Sequence, residues 1–221
     1  MCAVETRKFE RVAVYIDGYN LYFGLCDSKW RKYLWLDLPA LASSLLKPGQ
    51  RLVAVKYFTA RVGKPEGSVR RQGKYLDALT ARGGLKIIEG NFIYNPEECD
   101  DCHRVWLRRE EKQTDVGIAV HMLCDAEDDC YDVAILISGD SDQIPAVSEI
   151  TRRHPGRKVV VASPPMRVSK DLNSKAHAWF VMGEQLFADA QLPDCVQGKD
   201  GYALYRPVEW WDDPSAPADS N

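Results

Sequence analysis

Long apolar segments are missing from this chain of 221 residues. No run comes near the roughly 18–20 residues that a membrane-spanning helix needs. Residues 1–10 mix charged and short side chains and lack the apolar stretch of a signal peptide. The composition, with 45% hydrophobic and 28% charged residues, is that of an ordinary globular protein. We therefore expect a soluble cytoplasmic protein without a membrane partner.

An excess of positive charge is also missing. The chain has 29 basic and 32 acidic residues, for a net charge of −3, which argues against a protein that coats nucleic acid non-specifically. A local basic groove is still compatible with this balance. The seven cysteines are an odd number, and a chain of this length forms a core without disulfides, so most are expected to be reduced thiols.

Short β-branched runs alternate with helical patterns along the chain, which predicts a three-layer, Rossmann-like α/β fold with a mainly parallel central sheet flanked by helices. Strands are predicted at residues 11–16, 52–59, 85–93, 133–137, 158–162 and 179–182, and helices at 20–25, 36–46, 67–81, 110–126, 144–151 and 168–175. Residues 94–109 are predicted to form an irregular insertion containing cysteines. The domain is expected to span 11–190, between an N-terminal extension (1–10) and a C-terminal tail (191–221).

Four aspartates stand where the predicted strands end. Asp17 ends the first strand, Asp140 and Asp142 follow the fourth, and Asp115 lies in the first turns of the helix after the third strand and its insertion. Because ligands bind beyond the carboxyl ends of parallel strands, the topology is expected to bring these carboxylates together. Any one of them alone is as readily a turn residue or a helix cap, and Asp142 is the weakest member of the set.

Clustered carboxylates need a counter-charge. Two of them ~5 Å apart repel by ~3 kcal/mol at an effective dielectric of ~20. With Asn20 and Ser138 nearby, the oxygen-rich set suits Mg²⁺ or Mn²⁺ better than zinc. Such a cation activates water and stabilises the charge that develops on a phosphodiester during hydrolysis. The pattern therefore favours a nuclease.

Three segments carry a family resemblance: VYIDGYNL at 14–21, EKQTDV at 111–116 and ISGDSD at 137–142. Together they resemble the NYN domain of the LabA-like type, a branch of the PIN-like nuclease superfamily, from about residue 11 to residue 187. The resemblance implies a PIN-like fold and a Mg²⁺- or Mn²⁺-dependent ribonuclease. It also implies metal ligands at Asp17, Asp115 and Asp140, supported by Asn20, Ser138 and Asp142. Gln143 and Ile144 depart from the pattern, because an aromatic residue is common there.

Several residues outside the aspartates are candidates for binding. Lys112, Arg108 and Arg109 precede Asp115, and are candidates to contact a phosphate or to offset negative charge. Lys112 is expected on the same helical face as Asp115. Cys99 and Cys102 form half of a possible zinc site, although no second CxxC pair exists in the sequence. Without further ligands, a hairpin lined by thiols is the simpler interpretation.

Two other functions compete with a nuclease. A haloacid-dehalogenase-type phosphatase would need a second aspartate two residues after Asp17, where Tyr19 stands. A non-catalytic module with the same fold would bind RNA or a protein partner. The C-terminal region, with Trp210 and Trp211, would suit a protein partner or a homo-oligomer alongside catalysis. The presence of all four aspartates favours catalysis.

Overall fold

The computed structural model describes residues 9–99, 102–198 and 201–211. A seven-stranded sheet with the order β4-β3-β2-β1-β5-β6-β7 forms its centre. Six of these strands pair in parallel, and β4 pairs antiparallel with β3. The strands are β1 Glu10–Asp17, β2 Gln50–Ala60, β3 Lys86–Glu98, β4 Val105–Lys112, β5 Val133–Ile137, β6 Lys158–Ser163 and β7 Ala178–Val181. The expected mainly parallel α/β sheet is confirmed.

Helices cover both faces of the sheet, as the three-layer prediction requires. They are α1 Gly18–Asp27, α2 Leu38–Ser44, α3 Glu66–Arg82, α4 Thr114–Glu127, α5 Ile144–Arg153, α6 Lys170–Lys175 and α7 Glu184–Asp189. Residues of α1, α2, α3 and α7 share one buried cluster, and residues of α4, α5 and α6 share the other. No helix within the described ranges combines the length and apolarity that crossing a membrane requires.

The side chains of β1 alternate between the two faces of the sheet and contribute to both cores. Val12, Val14 and Ile16 point into the α1–α3 side, whereas Ala13 and Tyr15 point into the α4–α5 side. All five are at most 2% exposed. A strand buried on both faces reads as a continuous apolar run, which is why this central strand could be located from its sequence.

The prediction that residues 94–109 form an irregular insertion is wrong. β3 continues to Glu98, and β4 returns antiparallel from Val105, with Asn91 opposite Lys112. β3 contains Ile87, Ile88, Phe92, Ile93 and Tyr94, and β4 begins with Val105 and Trp106, residue types that favour strands. β2 ends beside Gly90, so residues 91–98 and 105–112 project past the carboxyl edge of the sheet as a two-stranded arm. At ~3.3 Å per residue, the arm extends roughly 25 Å.

The helix predicted to begin at residue 110 begins at Thr114 instead, because 110–112 belong to β4. Lys112 therefore ends a strand and does not share a helical face with Asp115, which corrects that prediction. The inward face of α4 is formed by isoleucine and methionine. Ile118 and Met122 are fully buried, whereas Val116 and Val120 are 68% and 51% exposed.

The structure also differs from the predicted tail at 191–221. Two short strands, β8 Cys195–Gln197 and β9 Ala203–Tyr205, pair antiparallel. Trp210 is 6% exposed and packs its ring against those of Trp35 and Tyr75. It is therefore part of the core and is not available to a partner, although Trp211 is half exposed. Residues 1–8 and 212–221 lie outside the described chain.

Candidate metal centre

Three carboxylates meet at the carboxyl edge of the sheet. Asp17 ends β1 and caps α1, Asp115 lies in the first turn of α4, and Asp140 follows β5. One carboxylate oxygen from each lies within 4.8 Å of the other two. β1 connects to β2 on one side and pairs with β5 on the other, so the cluster lies where the strand order reverses, the usual ligand position in such sheets.

Hydrogen bonds fix the buried end of this cluster. The Ser138 hydroxyl donates to Asp17 Oδ2 at 2.9 Å and accepts from the Asp140 amide at 3.0 Å. The Asn20 backbone N–H donates to Asp17 Oδ1 at 2.9 Å, while the Asn20 side-chain oxygen accepts from the Gly139 backbone N–H at 2.9 Å. Ser138 and Asn20 thus tie the ends of β1 and β5 together, as positioning residues.

The loop after β5 depends on a glycine. A Cβ atom at Gly139 would lie 1.9 Å from the Arg167 carbonyl oxygen, far inside van der Waals contact. Only glycine lets the loop pass this close to the neighbouring backbone. The Asp140 side chain then accepts from the Asp142 amide at 3.0 Å and caps the short 3-10 helix Ser141–Gln143.

Burial makes the centre electrostatically unfavourable by itself. Asp17 is 4% exposed, and its burial raises its pKa from the ordinary 3.8 to about 7. This pKa is the net result: burial is its largest cause, the hydrogen bonds from Asn20 and Ser138 act in the opposite direction, and the negative charges of Asp115 and Asp140 add to the rise. The net shift shows that the site lacks compensating positive charge when it contains only carboxylates.

Gln143 is a site residue that the sequence did not identify. Its side chain is fully buried, and its amide nitrogen donates to Asp115 Oδ1 at 3.2 Å and to the Asp115 carbonyl at 3.4 Å. Its Oε1 is buried and has no hydrogen-bond partner among the described residues. The signal that could have identified Gln143 was a glutamine at a position where an aromatic residue is common, because a buried glutamine needs polar neighbours.

The remaining predicted residues lie apart from the three carboxylates. Asp142 is exposed and does not belong to the group of three. Lys112 is exposed at the base of the arm, two residues before α4. Arg108 and Arg109 belong to β4, opposite Asn95 and Tyr94, but their side chains are outside the described part of the structure.

Cys99 and Cys102 flank residues 100 and 101, which are not described. Cys102 is exposed near the tip of the arm. His103 nearby bonds through Nδ1 to Glu98 at 2.6 Å. Neither cysteine belongs to a group of three or more metal-ligating side chains among the described residues. Zinc binding at the two thiols stays a prediction.

The donor set fits a hard divalent cation. All three clustered side chains offer carboxylate oxygens, the ligands that Mg²⁺ and Mn²⁺ prefer. A cation here would also relieve the repulsion that raises the pKa of Asp17. The acidic cluster is therefore able to hold a divalent metal.

Residues 11–182 match the NYN domain. The chain belongs to the NYN domain family. The matched segment contains β1, α4 and β5, and hence all three clustered aspartates. The NYN domain is a PIN-like nuclease family, so the resemblance carried by the three sequence motifs is confirmed.

Two known proteins are similar to this NYN chain. The 6-hydroxy-3-succinoylpyridine 3-monooxygenase HspA of Pseudomonas putida is 30% identical over 247 residues, covering 92% of this chain and 76% of that protein. The crystal structure of a protein of unknown function, VPA0982 from Vibrio parahaemolyticus, aligns with a TM-score of 0.56 and 21% identity over 85% of this chain and 99% of that chain. The second likeness supports the fold alone.

Proposed function

We propose that this NYN protein is a Mg²⁺- or Mn²⁺-dependent endoribonuclease that hydrolyses phosphodiester bonds of RNA. One observation carries the proposal: oxygens of Asp17, Asp115 and Asp140 come within 4.8 Å of one another at the carboxyl edge of the sheet. A divalent cation at this position supplies activated water and stabilises charge on the phosphate.

The protein's own groups prepare the site for that chemistry. Ser138 and Asn20 hold both oxygens of Asp17 by hydrogen bonds, and Gln143 orients Asp115. Such outer hydrogen bonds keep metal-binding side chains in place and affect metal affinity. The exposed Asp142 is assigned a supporting role, in contact with solvent and substrate at the rim.

RNA is proposed as substrate because the chain belongs to a PIN-like nuclease family and because the arm stands beside the carboxylates. Lys112 at its base is proposed to contact a substrate phosphate, and Arg108 and Arg109 are proposed to do so further along the strand. A substrate of this kind is consistent with a cytoplasmic protein.

The proposal is tested by incubating the purified chain with labelled single-stranded RNA and Mg²⁺ or Mn²⁺. Cleavage is expected to stop with EDTA and to fall at least about 100-fold in Asp140→Asn, since the lost ligand contributes several kcal/mol of charge stabilisation. The exposed Asp171→Asn provides the matched control and is expected to cleave normally. Cleavage that survives both EDTA and Asp140→Asn would overturn the metal mechanism.

A monooxygenase is the second candidate, and the 30% identity to HspA favours it. The sequence contains no GxGxxG dinucleotide fingerprint, and the carboxylate cluster lacks the histidine ligands common at non-haem iron centres. We therefore rank hydrolysis first. Hydroxylation of 6-hydroxy-3-succinoylpyridine that depends on O2 and an added reductant, with no cleavage of RNA, would reverse this order. If neither reaction occurs but RNA or a protein binds, the chain is a non-catalytic module.

A further inference from the structure

A cavity opens beside Asp17, on the opposite side of that residue from α4. It has a volume of about 260 Å³ and lies between α1 and α3, past the carboxyl ends of β1 and β2. Gly18 lines it and is the chain neighbour of Asp17, so the cavity wall lies one ~3.8 Å Cα step from a metal-binding residue. Its size is near the lower limit for small-molecule sites, roughly 300–1,000 Å³, which suits one ring system with its substituents.

Aromatic rings form much of the wall, from Tyr19, Tyr22, Tyr57 and Tyr75. Two of them are fixed through their hydroxyls: Tyr19 donates to the Ala60 carbonyl at 2.7 Å, and Tyr75 donates to the Leu36 carbonyl at 3.0 Å. A cavity with ring walls that are held in place is preorganised for a flat, apolar group. Stacking of one base on such rings contributes about 1–3 kcal/mol.

The polar part of the wall favours an anion. Lys64 and Arg71 line the cavity, and its lining contains no acidic side chain. Arg71 also donates to Glu209 at 3.1 Å and to the Ser68 hydroxyl at 3.2 Å, which fix its guanidinium beside the cavity. An arginine with five donor hydrogens keeps capacity for a phosphate while it makes such a bond. Gln72 fixes the connection from β2 to α3 by donating to the Ala60 carbonyl and accepting from the Val62 amide.

From these features we propose that the cavity binds one nucleotide of the substrate RNA, with its base among the tyrosines and its phosphate toward Lys64 and Arg71. This inference rests on the proposed ribonuclease function, because it assigns the cavity to the nucleotide next to the phosphate that is cleaved. It gives the chain a base-binding site that positions RNA relative to the three carboxylates. The lining suits a ligand that combines a flat heteroaromatic ring with an anionic group.

Binding is measured by calorimetry on the full chain in EDTA, so that the carboxylate cluster does not contribute through a metal. The probes are adenosine 5′-monophosphate, ribose 5-phosphate and pyridine-3-carboxylate. The nucleotide is expected to bind at least tenfold more tightly than either of the others. Equal binding of ribose 5-phosphate would remove the role of the base, and tighter binding of pyridine-3-carboxylate would assign the cavity to a small aromatic acid; either result overturns the proposal.

Two substitutions on the same helix locate the binding. Ser68→Trp places an indole in the cavity and is expected to weaken nucleotide binding at least tenfold, whereas Val69→Trp, one residue outside the lining, is expected to change it less than twofold. If Ser68→Trp does not fold, Val62→Trp fills the cavity from the loop. Unchanged binding in the folded variant overturns the site.

The two proposals fail separately. RNA cleavage that depends on Asp140, together with a cavity that ignores nucleotides, removes the base-binding site and leaves the ribonuclease. Nucleotide binding that depends on Ser68, together with no cleavage of any RNA, leaves the cavity assignment and removes the ribonuclease.

Discussion

Replacing the buried Asp17, a proposed metal ligand, with asparagine is expected to stabilise the metal-free protein above neutral pH. Asp17 is 4% exposed, and its pKa is raised to about 7. At pH 8 the folded state therefore contains a buried carboxylate that the surroundings do not compensate. Asp17→Asn removes this charge and keeps a side chain of nearly the same shape.

The size of the effect follows from the pKa shift. Between pH 3.8 and about 7, the folded state keeps a proton that the unfolded chain has released, so stability falls as pH rises through this window. At 1.36 kcal/mol per unit, the ionised Asp17 costs about 4 kcal/mol by pH 8. The asparagine nitrogen would face Ser138, which now donates to this position, and this mismatch costs about 1 kcal/mol. A net gain of about 1–3 kcal/mol is expected.

Urea unfolding in EDTA at pH 5, 6, 7 and 8 measures the difference between wild type and Asp17→Asn. The difference is expected to be small at pH 5, where the wild type has lost little stability and the mismatch in the variant offsets most of that loss, and to favour the variant increasingly up to pH 8. Mn²⁺ is then expected to stabilise the wild type by about 2.7 kcal/mol at 100 times its Kd, and the variant by much less. Asp171→Asn, at an exposed site, is the control.

A variant that is less stable than wild type at pH 8, or a difference that does not change between pH 5 and pH 8, would refute the reasoning. Either result would mean that the ionised Asp17 is compensated by groups within the folded protein. The carboxylate cluster would then need no cation for electrostatic reasons, and the case for a metal centre would rest on the family alone.

Two further substitutions, one in the loop that carries Asp140 and one at an ion pair away from the site, are tested by urea unfolding. Gly139→Ala is expected to lower the free energy of unfolding by about 2 kcal/mol or more, since the new methyl group would overlap the Arg167 carbonyl. It is also expected to reduce Mn²⁺ binding, because the loop after β5 moves. Unchanged stability would show that this loop shifts to accommodate the methyl group. Lys56→Met is expected to cost about 2 kcal/mol, because Asp125 keeps its bond from Tyr15 but loses its cationic partner in a largely buried position. Unchanged stability would mean that solvent compensates the carboxylate.

The sequence was sufficient to predict the three carboxylates because their positions depend on topology. Asp17 and Asp140 follow apolar runs that pair as central parallel strands, and strand ends of this type meet at one edge. Asp115 was placed correctly at this edge although its helix began four residues later than predicted. The location of the site depends on the order of elements, and small errors in their bounds leave it unchanged.

The parts that the sequence did not predict depend on packing between distant residues. In α4, both Val116 and Ile118 fit a helical apolar pattern, and only the position of the helix on the sheet decides that Ile118 is buried. Trp210 enters the core through contacts with Trp35 and Tyr75, more than 130 residues away in the chain. Neither contact leaves a local signal in the sequence.

Gly18 links the two proposed functional regions of the molecule. A Cβ atom at this position would lie 2.6 Å from the Phe58 carbonyl oxygen and 2.8 Å from the Tyr57 ring, so the backbone after Asp17 packs directly on β2. The same close approach brings the Tyr57 ring into the cavity wall. Any side chain at residue 18 would separate β1 from β2 at their carboxyl ends, and would move the Asp17 carboxylate and the ring together. The spacing between the metal centre and the proposed base site is therefore set by the main chain, which holds it more rigidly than two independent loops would.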